Sequence, residues 1–154
     1  MIAEHFLNEG ARVFLMDSGC PELARAFHSV QTGLTYVRGD ISDLKELDRL
    51  LAEIEREEGK LDIVVANGVA AEYPTMREIL GAPYETTMNL NLAGLLSAAE
   101  RALPFVRDGG SIILNTASPL VGCREPTVFT SQQEPLSSLS RNSGQDNWRI
   151  DGFA

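Results

Sequence analysis

Polar side chains that could bind a ligand lie at or just past the ends of apolar segments of strand length. Asp17, Asp40 and Asn67 each occupy such a position. A carboxylate accepts hydrogen bonds from hydroxyl and amino groups, whereas a carboxamide both donates and accepts them. If these segments form a parallel sheet, their carboxyl ends share one edge, where such sheets bind ligands. The residues at these strand ends are therefore candidates for contact with a small molecule.

A second group of reactive side chains lies farther along the chain, beyond residue 115. Arg124 and Glu125 could polarise a carbonyl and move a proton; a solvated ion pair on a surface loop is the alternative. Cys123 could act as a nucleophile, but neither histidine is expected to reach it, and a structural thiol is the alternative. The full set of crevice candidates is Asn67, Glu72, Tyr73, Asn115, Ser118, Cys123, Arg124 and Glu125.

Helical and strand-like segments alternate along the chain, and the strands are continuous apolar runs. This alternation is typical of a parallel sheet that helices cover on both faces. It predicts an α/β fold in one domain, residues 1–154, with residues 1–116 well patterned and residues 117–154 poorly patterned. Helices are expected at residues 2–9, after Pro21, from a Ser42 N-cap to Gly59, and at residues 86–106. Strands are expected at residues 12–16, 34–38, 61–66 and 111–115, with an edge strand near residues 148–151.

The composition argues against several classes of partner. The chain has 154 residues and a formal net charge of −9, which is unfavourable for binding nucleic acid or anionic membranes. Cys20 and Cys123 have no metal-ligand spacing, so we expect a reduced protein without a metal site. The first residues form no secretory signal, and no apolar run reaches membrane-spanning length. We therefore expect a cytoplasmic protein whose partner is a small-molecule ligand or substrate.

Five segments, taken in order, resemble the short-chain dehydrogenase/reductase family. They are "HFLNEGARVFLMD", "RGDISDL", "KLDIVVANG", "NLNLAG" and "RDGGSIILNTAS". The resemblance covers roughly residues 2–150 and implies a Rossmann-like, doubly wound parallel sheet. It also implies a shortened sheet that lacks the family's first strand and glycine-rich loop, because no glycine precedes Gly10 and the TGxxxGxG turn has no counterpart.

The resemblance implies nucleotide-binding roles for residues of the predicted crevice. Asp17 corresponds to an acidic residue that accepts hydrogen bonds from the adenosine ribose, which favours NAD over NADP. Asp40 and Ile41 correspond to the pair beside the adenine, and Asn91 to an asparagine that holds a water and the backbone of the long helix. Each polar residue has a structural alternative: Asp17 as a turn aspartate, Asp40 as a loop carboxylate, and Asn91 as a helix residue bound to a nearby carbonyl.

The turn after the fourth family strand is altered. Asn67-Gly68-Val69 stands where the family has Asn-Ala-Gly, so one small residue is missing. The resemblance implies that Asn67 and Gly68 border the cofactor, and Gly68 still permits a close backbone approach.

The family's catalytic residues are replaced. Phe129 and Gln133 stand where the family has its proton-transferring tyrosine and the lysine that lowers the pKa of that tyrosine. A phenyl ring has no proton to transfer, and a carboxamide carries no charge. The serine position falls at Ala117 or Ser118, and a lone serine is no general acid near neutral pH. The family's substrate-covering segment is also expected to be missing.

These departures predict a protein that no longer transfers hydride. We expect small-molecule binding or non-redox catalysis, of a cyclase, isomerase or dehydratase type, in the old crevice. Catalytic candidates are Ser118, Asn91, Arg124 and Glu125. One alternative is an NAD(P)-dependent oxidoreductase completed by another copy or chain, and another is an inactive fragment that acts as an oligomerising or interaction module. We expect no retained cofactor, with NAD as the alternative, and a homo-oligomer through residues 86–106.

Overall fold

Helices and parallel strands alternate in the computed structural model. It describes residues 2–19, 32–67, 85, 89–115 and 150–151, and features predicted elsewhere lie outside these ranges. In chain order the elements are α1 (Ile2–Asn8), β1 (Val13–Asp17), β2 (Leu34–Arg38), α2 (Leu44–Glu58), β3 (Leu61–Ala66), a π-helical segment (Asn89–Gly94), α3 (Leu95–Ala102), a 3-10 turn (Leu103–Phe105), β4 (Val106–Leu114) and β5 (Ile150–Asp151).

The described strands form two parallel sheets. β1 pairs with β2 in one sheet, and β3, β4 and β5 follow one another in the other. All three pairings are parallel, from Val13 opposite Leu34 in the first sheet to Ile113 opposite Asp151 in the second. The predicted α/β class with parallel strands is therefore confirmed, and the carboxyl ends of each sheet's strands lie at one edge.

The strand predictions are close to the observed bounds. β2 and β3 have the predicted limits, β1 begins and ends one residue later than predicted, and the expected edge strand appears as β5. β4 begins at Val106, five residues before its predicted start at residue 111. The pairing with β3 is irregular in this part, since Leu61 lies opposite Val106 whereas Ile63 lies opposite Ser111. Gly109 lies in this irregular part of β4 and adopts a φ of 80°.

The long helix predicted at residues 86–106 was wrong at its end. The α-helical part is α3, and Pro104 lies in the 3-10 turn that follows it. Proline lacks the N–H that a continuing helix needs, and its ring clashes with the preceding turn. Val106 is therefore the first residue of β4 rather than the last residue of the helix.

The N-cap of α2 is one residue later than predicted. The N-cap is Asp43 rather than Ser42: Asp43 has extended backbone angles, and its side chain accepts the Lys45 N–H at 2.9 Å. Gly59 ends the helix with a φ of 75°, a conformation that glycine adopts without a Cβ clash. A short acidic side chain at this position satisfies an N–H group that the helix itself cannot.

Two apolar clusters meet on α3. Leu95 and Ala99 pack with Ala66, Ile112 and Leu114 of the second sheet. Ala102, on the same helix, packs with Leu47 and Leu51 of α2. α3 therefore joins the β3–β4 sheet to α2. None of the helices in the described ranges is long and apolar enough to cross a membrane.

Exposed ion pairs also link α2 to α3 and to the segment just before β1. Arg101 of α3 pairs with Asp48 of α2. Arg12, just before β1, pairs with Glu57 and Glu58 at the end of α2, at 3.2 and 3.3 Å. Exposed pairs of this kind contribute roughly 0–1 kcal/mol each, so the apolar clusters dominate the packing.

Leu47 and Leu44 provide a matched test of the α2 packing. Helical spacing predicts both on the buried face, yet Leu47 is 4% exposed whereas Leu44, the first residue of the helix, is 41% exposed. We expect Leu47→Ala to lower the free energy of unfolding by about 2–5 kcal/mol, because it leaves a cavity. Leu44→Ala should cost about 1 kcal/mol or less. Urea unfolding with an unchanged m-value measures both, and equal losses would contradict the assigned packing.

Candidate functional site

Asp17 ends β1 in a hydrogen-bonded turn at the carboxyl edge of the first sheet. Its Oδ1 accepts the Gly19 N–H at 2.8 Å. Its backbone carbonyl accepts the Gly39 N–H at 2.9 Å. The turn role that the sequence allowed for Asp17 is therefore present, and the same contacts hold the residue beside the chain that leaves β2.

Arg38, the last residue of β2, brings a cation to this end of the two strands. Arg38 lies opposite Asp17 in the parallel register. Its Nε would lie 2.9 Å from a Cβ at Gly19, so the guanidinium extends across the Asp17 turn. The end of this sheet thus presents one carboxylate and one guanidinium side by side.

Asp40 organises the turn between β2 and α2. Its Oδ1 accepts the Ser42 N–H at 2.8 Å and the Ser42 Oγ hydroxyl at 2.7 Å. Its carbonyl accepts the Asp43 N–H at 3.0 Å. Its own N–H donates to Oε2 of Glu46 at 2.7 Å. The Asp40 backbone and carboxylate are therefore both held, and we name residues 39–43 the acidic turn.

Gly39 allows this turn to approach β1. It is buried, and a Cβ at this position would lie 2.2 Å from Cε of Met16 and 3.2 Å from Oε2 of Glu46. A real Cβ does not come within 2.2 Å of another heavy atom, so a side chain at Gly39 would displace the Met16 methyl group and crowd the Glu46 carboxylate. Glycine thus leaves room for both groups over the backbone of the turn.

Ile41 connects the acidic turn to the π-helical segment. Its side chain packs against the first apolar cluster, and its Cγ1 would lie 3.4 Å from a Cβ at Gly94. The same segment contains Asn91 in its backbone. Single π-helical turns are frequent at functional sites. The predicted adenine-side pair and the helix that carries the candidate Asn91 are therefore in direct contact.

Asn67 and Asn115 meet at the carboxyl edge of the second sheet. Asn67 follows β3 and Asn115 follows β4, and the Asn115 Nδ2 donates to the Asn67 Oδ1. The Asn115 N–H also donates to the Ala66 carbonyl at 3.0 Å. Both side chains are exposed. They tie the two strand ends together and present amide groups to solvent at this edge.

The structure describes part of the predicted site. Asp17, Asp40, Ile41 and Asn67 lie at the carboxyl edges, as expected from parallel strands, and Asn91 lies in the π-helical segment. The remaining predicted site residues, Gly68, Ser118, Arg124 and Glu125, are outside the described ranges, as are Glu72, Tyr73 and Cys123.

Glu46 is a residue that sequence reasoning did not assign to the site. The signal was present, because Asp43-x-x-Glu46 is a spacing in which the glutamate side chain turns back toward the N-cap. What the spacing could not indicate is that the carboxylate passes the N-cap and reaches the Asp40 N–H.

The described groups favour ligands that donate hydrogen bonds. Carboxylates at Asp17 and Asp40 suit hydroxyl and amino groups, and they repel phosphate. Within the described ranges, no three His, Cys, Asp or Glu side chains cluster as metal ligands would. The two carboxylates can therefore accept hydrogen bonds from hydroxyl and amino groups of a small molecule, and Arg38 adds one positive charge beside Asp17.

Comparisons with known proteins point to enzymes of one kind. A family model described as enoyl-(acyl carrier protein) reductase matches residues 1–146. The chain is 31% identical over 143 residues to "Oxidoreductase asL5" of Sarocladium schorii, which covers 91% of this chain and 57% of that protein. It is 28% identical over 112 residues to "Hydroxynaphthalene reductase-like protein Arp2" of Metarhizium brunneum, which covers 71% of this chain and 42% of that protein.

Solved structures share the fold. A short-chain dehydrogenase/reductase from Brucella melitensis, described as a glucose/ribitol dehydrogenase, superposes with a TM-score of 0.88 at 21% identity, over 98% of this chain and 66% of its own. One from Serratia marcescens gives a TM-score of 0.85 at 21% identity, over 94% and 62%. This chain spans about half the length of the curated relatives it matches, 57% and 42%.

The Asn67–Asn115 contact can be measured by a double-mutant cycle. Removing either side chain breaks the same hydrogen bond, so the two losses of unfolding free energy should not add. We expect Asn67→Ala and Asn115→Ala to couple by about 0.5–1 kcal/mol, the range of a neutral hydrogen bond. Asn67→Ala with Ser42→Ala, which share no contact, should add within about 0.5 kcal/mol. Additive losses in the asparagine pair would contradict the contact.

Proposed function

The chain belongs to the short-chain dehydrogenase/reductase family, and we propose that it binds an adenosine-containing small molecule at the carboxyl edge without transferring hydride. One observation carries this proposal. The acidic turn holds Asp40 through its N–H, its carbonyl and its carboxylate, next to the Asp17 turn. A turn held in this way presents acceptors in a fixed orientation, which lowers the entropy lost when a ligand binds.

The chemistry of the two carboxylates suits adenosine. A ribose offers vicinal hydroxyl groups as donors, and adenine offers an exocyclic amino group. Asp17 is proposed to accept from the ribose, and Asp40, with the Ile41 backbone, to lie beside the adenine. A phosphate at the ribose 2′ position would stand close to a carboxylate and be repelled, so NAD is proposed to bind better than NADP.

The loss of hydride transfer is proposed from the sequence. Phe129 and Gln133 lack the groups that donate the proton and hold the positive charge in the family's reaction. What remains available is binding alone, or a proton transfer without redox change. Ser118, Asn91, Arg124 and Glu125 are the proposed residues for such a non-redox reaction.

Calorimetric titration with NAD and NADP tests the binding proposal. We expect NAD to bind more tightly than NADP. Asp17→Asn keeps an oxygen that can accept the Gly19 N–H but loses the charge, so NAD affinity should fall about tenfold and the preference should shrink. A preference for NADP would contradict the role of Asp17 and favour Arg38 as the deciding charge.

Asp62→Asn is the matched control for this titration. Asp62 is an exposed carboxylate near the amino end of β3, paired with Arg107 at 2.9 Å. The same change of charge therefore occurs at the amino ends of the second sheet's strands rather than at the carboxyl end of β1. NAD affinity should stay within a factor of about two of the unaltered protein, since a distant exposed charge is screened by salt. An equal loss in both variants would show a net-charge effect and not a site.

A second candidate is an NAD(P)-dependent oxidoreductase that a second copy or another chain completes. The names of two relatives, an oxidoreductase and a hydroxynaphthalene reductase-like protein, favour it. In this proposal residues 86–106 form a homo-oligomer contact, and the partner supplies the groups that Phe129 and Gln133 lack.

Turnover and assembly distinguish the two candidates. Under the first proposal, NADH absorbance should stay constant with a panel of ketones that includes hydroxynaphthalene-derived ketones, because Phe129 has no hydroxyl group to donate the proton that the family's tyrosine donates. Sedimentation velocity on the same samples reports the oligomer. NADH oxidation that rises with the fraction of oligomer would overturn the first candidate in favour of the second, whereas a monomer without turnover would exclude an enzyme completed by its own copy.

A further inference from the structure

We infer that Glu46 is a positioning residue that sets the adenine selectivity of the acidic turn. This inference rests on the proposed function, because it concerns the same site. Glu46 does not contact the ligand in this proposal. It acts through the Asp40 N–H, which it binds at 2.7 Å in a half-buried position.

The path of the Glu46 side chain differs from that of an ordinary helix cap. Glu46 is the third residue of α2, and a glutamate there usually accepts the N–H of the N-cap residue, which is Asp43 here. The Asp43 N–H is already bound to the Asp40 carbonyl at 3.0 Å. The carboxylate of Glu46 therefore extends past the N-cap to Asp40, and its hydrogen bond stabilises the acidic turn more than the helix end.

The consequence for Asp40 is geometric. Without Glu46, the Asp40 N–H would lose its acceptor, and the peptide unit between Gly39 and Asp40 would be free to rotate. The Asp40 carboxylate is aimed by this backbone and by its two bonds to Ser42. Rotation of that peptide would change the direction of the carboxylate.

Packing on both sides makes Glu46 a link between elements. Its Oε2 lies over the Gly39 backbone together with the Met16 methyl group of β1. On the other side of the turn, Ile41 packs against Gly94 and the core. The turn is thus fixed at three places, by Glu46, by Ser42 and by Ile41, and the Glu46 contact is a charged hydrogen bond to the N–H of Asp40 itself.

The test compares two nucleotides that differ at one edge of the purine. Adenosine and inosine 5′-monophosphate have the same ribose and phosphate, but adenosine monophosphate has an amino group where inosine monophosphate has a carbonyl. A carboxylate beside the base accepts a hydrogen bond from the amino group and repels the carbonyl oxygen. We expect the unaltered protein to prefer adenosine monophosphate in calorimetric titration.

Three variants at position 46 distinguish the effect of side-chain length from the effect of charge. Glu46→Gln keeps an oxygen at the same distance and should keep the preference. Glu46→Asp keeps the charge but is one methylene too short, and Glu46→Ala removes the group; both should weaken adenosine monophosphate binding about tenfold and reduce the preference to near one. Glu55→Ala, an exposed glutamate on the same helix, should behave as the unaltered protein.

The outcomes are distinguishable. If the unaltered protein binds neither nucleotide, the proposed function fails and this inference fails with it. If it binds and prefers adenosine monophosphate but Glu46→Ala does the same, only the inference is overturned. An equal loss for both nucleotides, or loss in Glu46→Gln with retention in Glu46→Asp, also overturns it. Should Glu46→Ala not fold, the Gln and Asp variants decide, together with amide exchange at Asp40, which should be faster in Glu46→Asp.

Discussion

The burial of one face of α3 is the interaction that joins α2 to the second sheet. Leu95 and Ala102 are each 2% exposed, and they belong to different clusters, one with the β3–β4 sheet and one with α2. The small side chains Ala99 and Ala102 let neighbouring elements approach the helix closely. Burial of apolar area, at roughly 25 cal/mol per Å², is the main favourable term in this packing.

Two sets of contacts connect α3 to the acidic turn. The first passes through α2, which packs on Ala102 and carries Glu46 in its first turn. The second passes through the π-helical segment directly before α3, where Gly94 meets Ile41. The turn that holds Asp40 is therefore braced by elements that share one core. This bracing explains how a partly buried turn at the end of β2 can keep polar groups in a fixed arrangement, which proteins otherwise achieve with regular secondary structure.

Local patterns were sufficient for the regular elements. β2 and β3 are short, mainly apolar segments bounded by glycine or polar residues, and their predicted limits match those observed. The early start of β4 was not predicted, because glycines at residues 109 and 110 break the apolar pattern. The end of the long helix was missed although Pro104 signals it. The N-cap was predicted one residue too early, because serine and aspartate both cap helices well. Which of Ser42 and Asp43 caps α2 depends on the other contacts of Ser42.

The sequence by itself determined the α/β class, the parallel strands and the position of Asp17, Asp40 and Asn67 at strand ends, because these follow from short-range periodicity and chain order. Only the tertiary structure decided that Glu46 reaches Asp40, that Ile41 packs on Gly94 and that Asn67 meets Asn115. The last two contacts join residues far apart in the sequence, and the first crosses a turn whose path no local pattern specifies. Their partners are chosen by how helices and strands pack, and one-dimensional spacing does not contain that information.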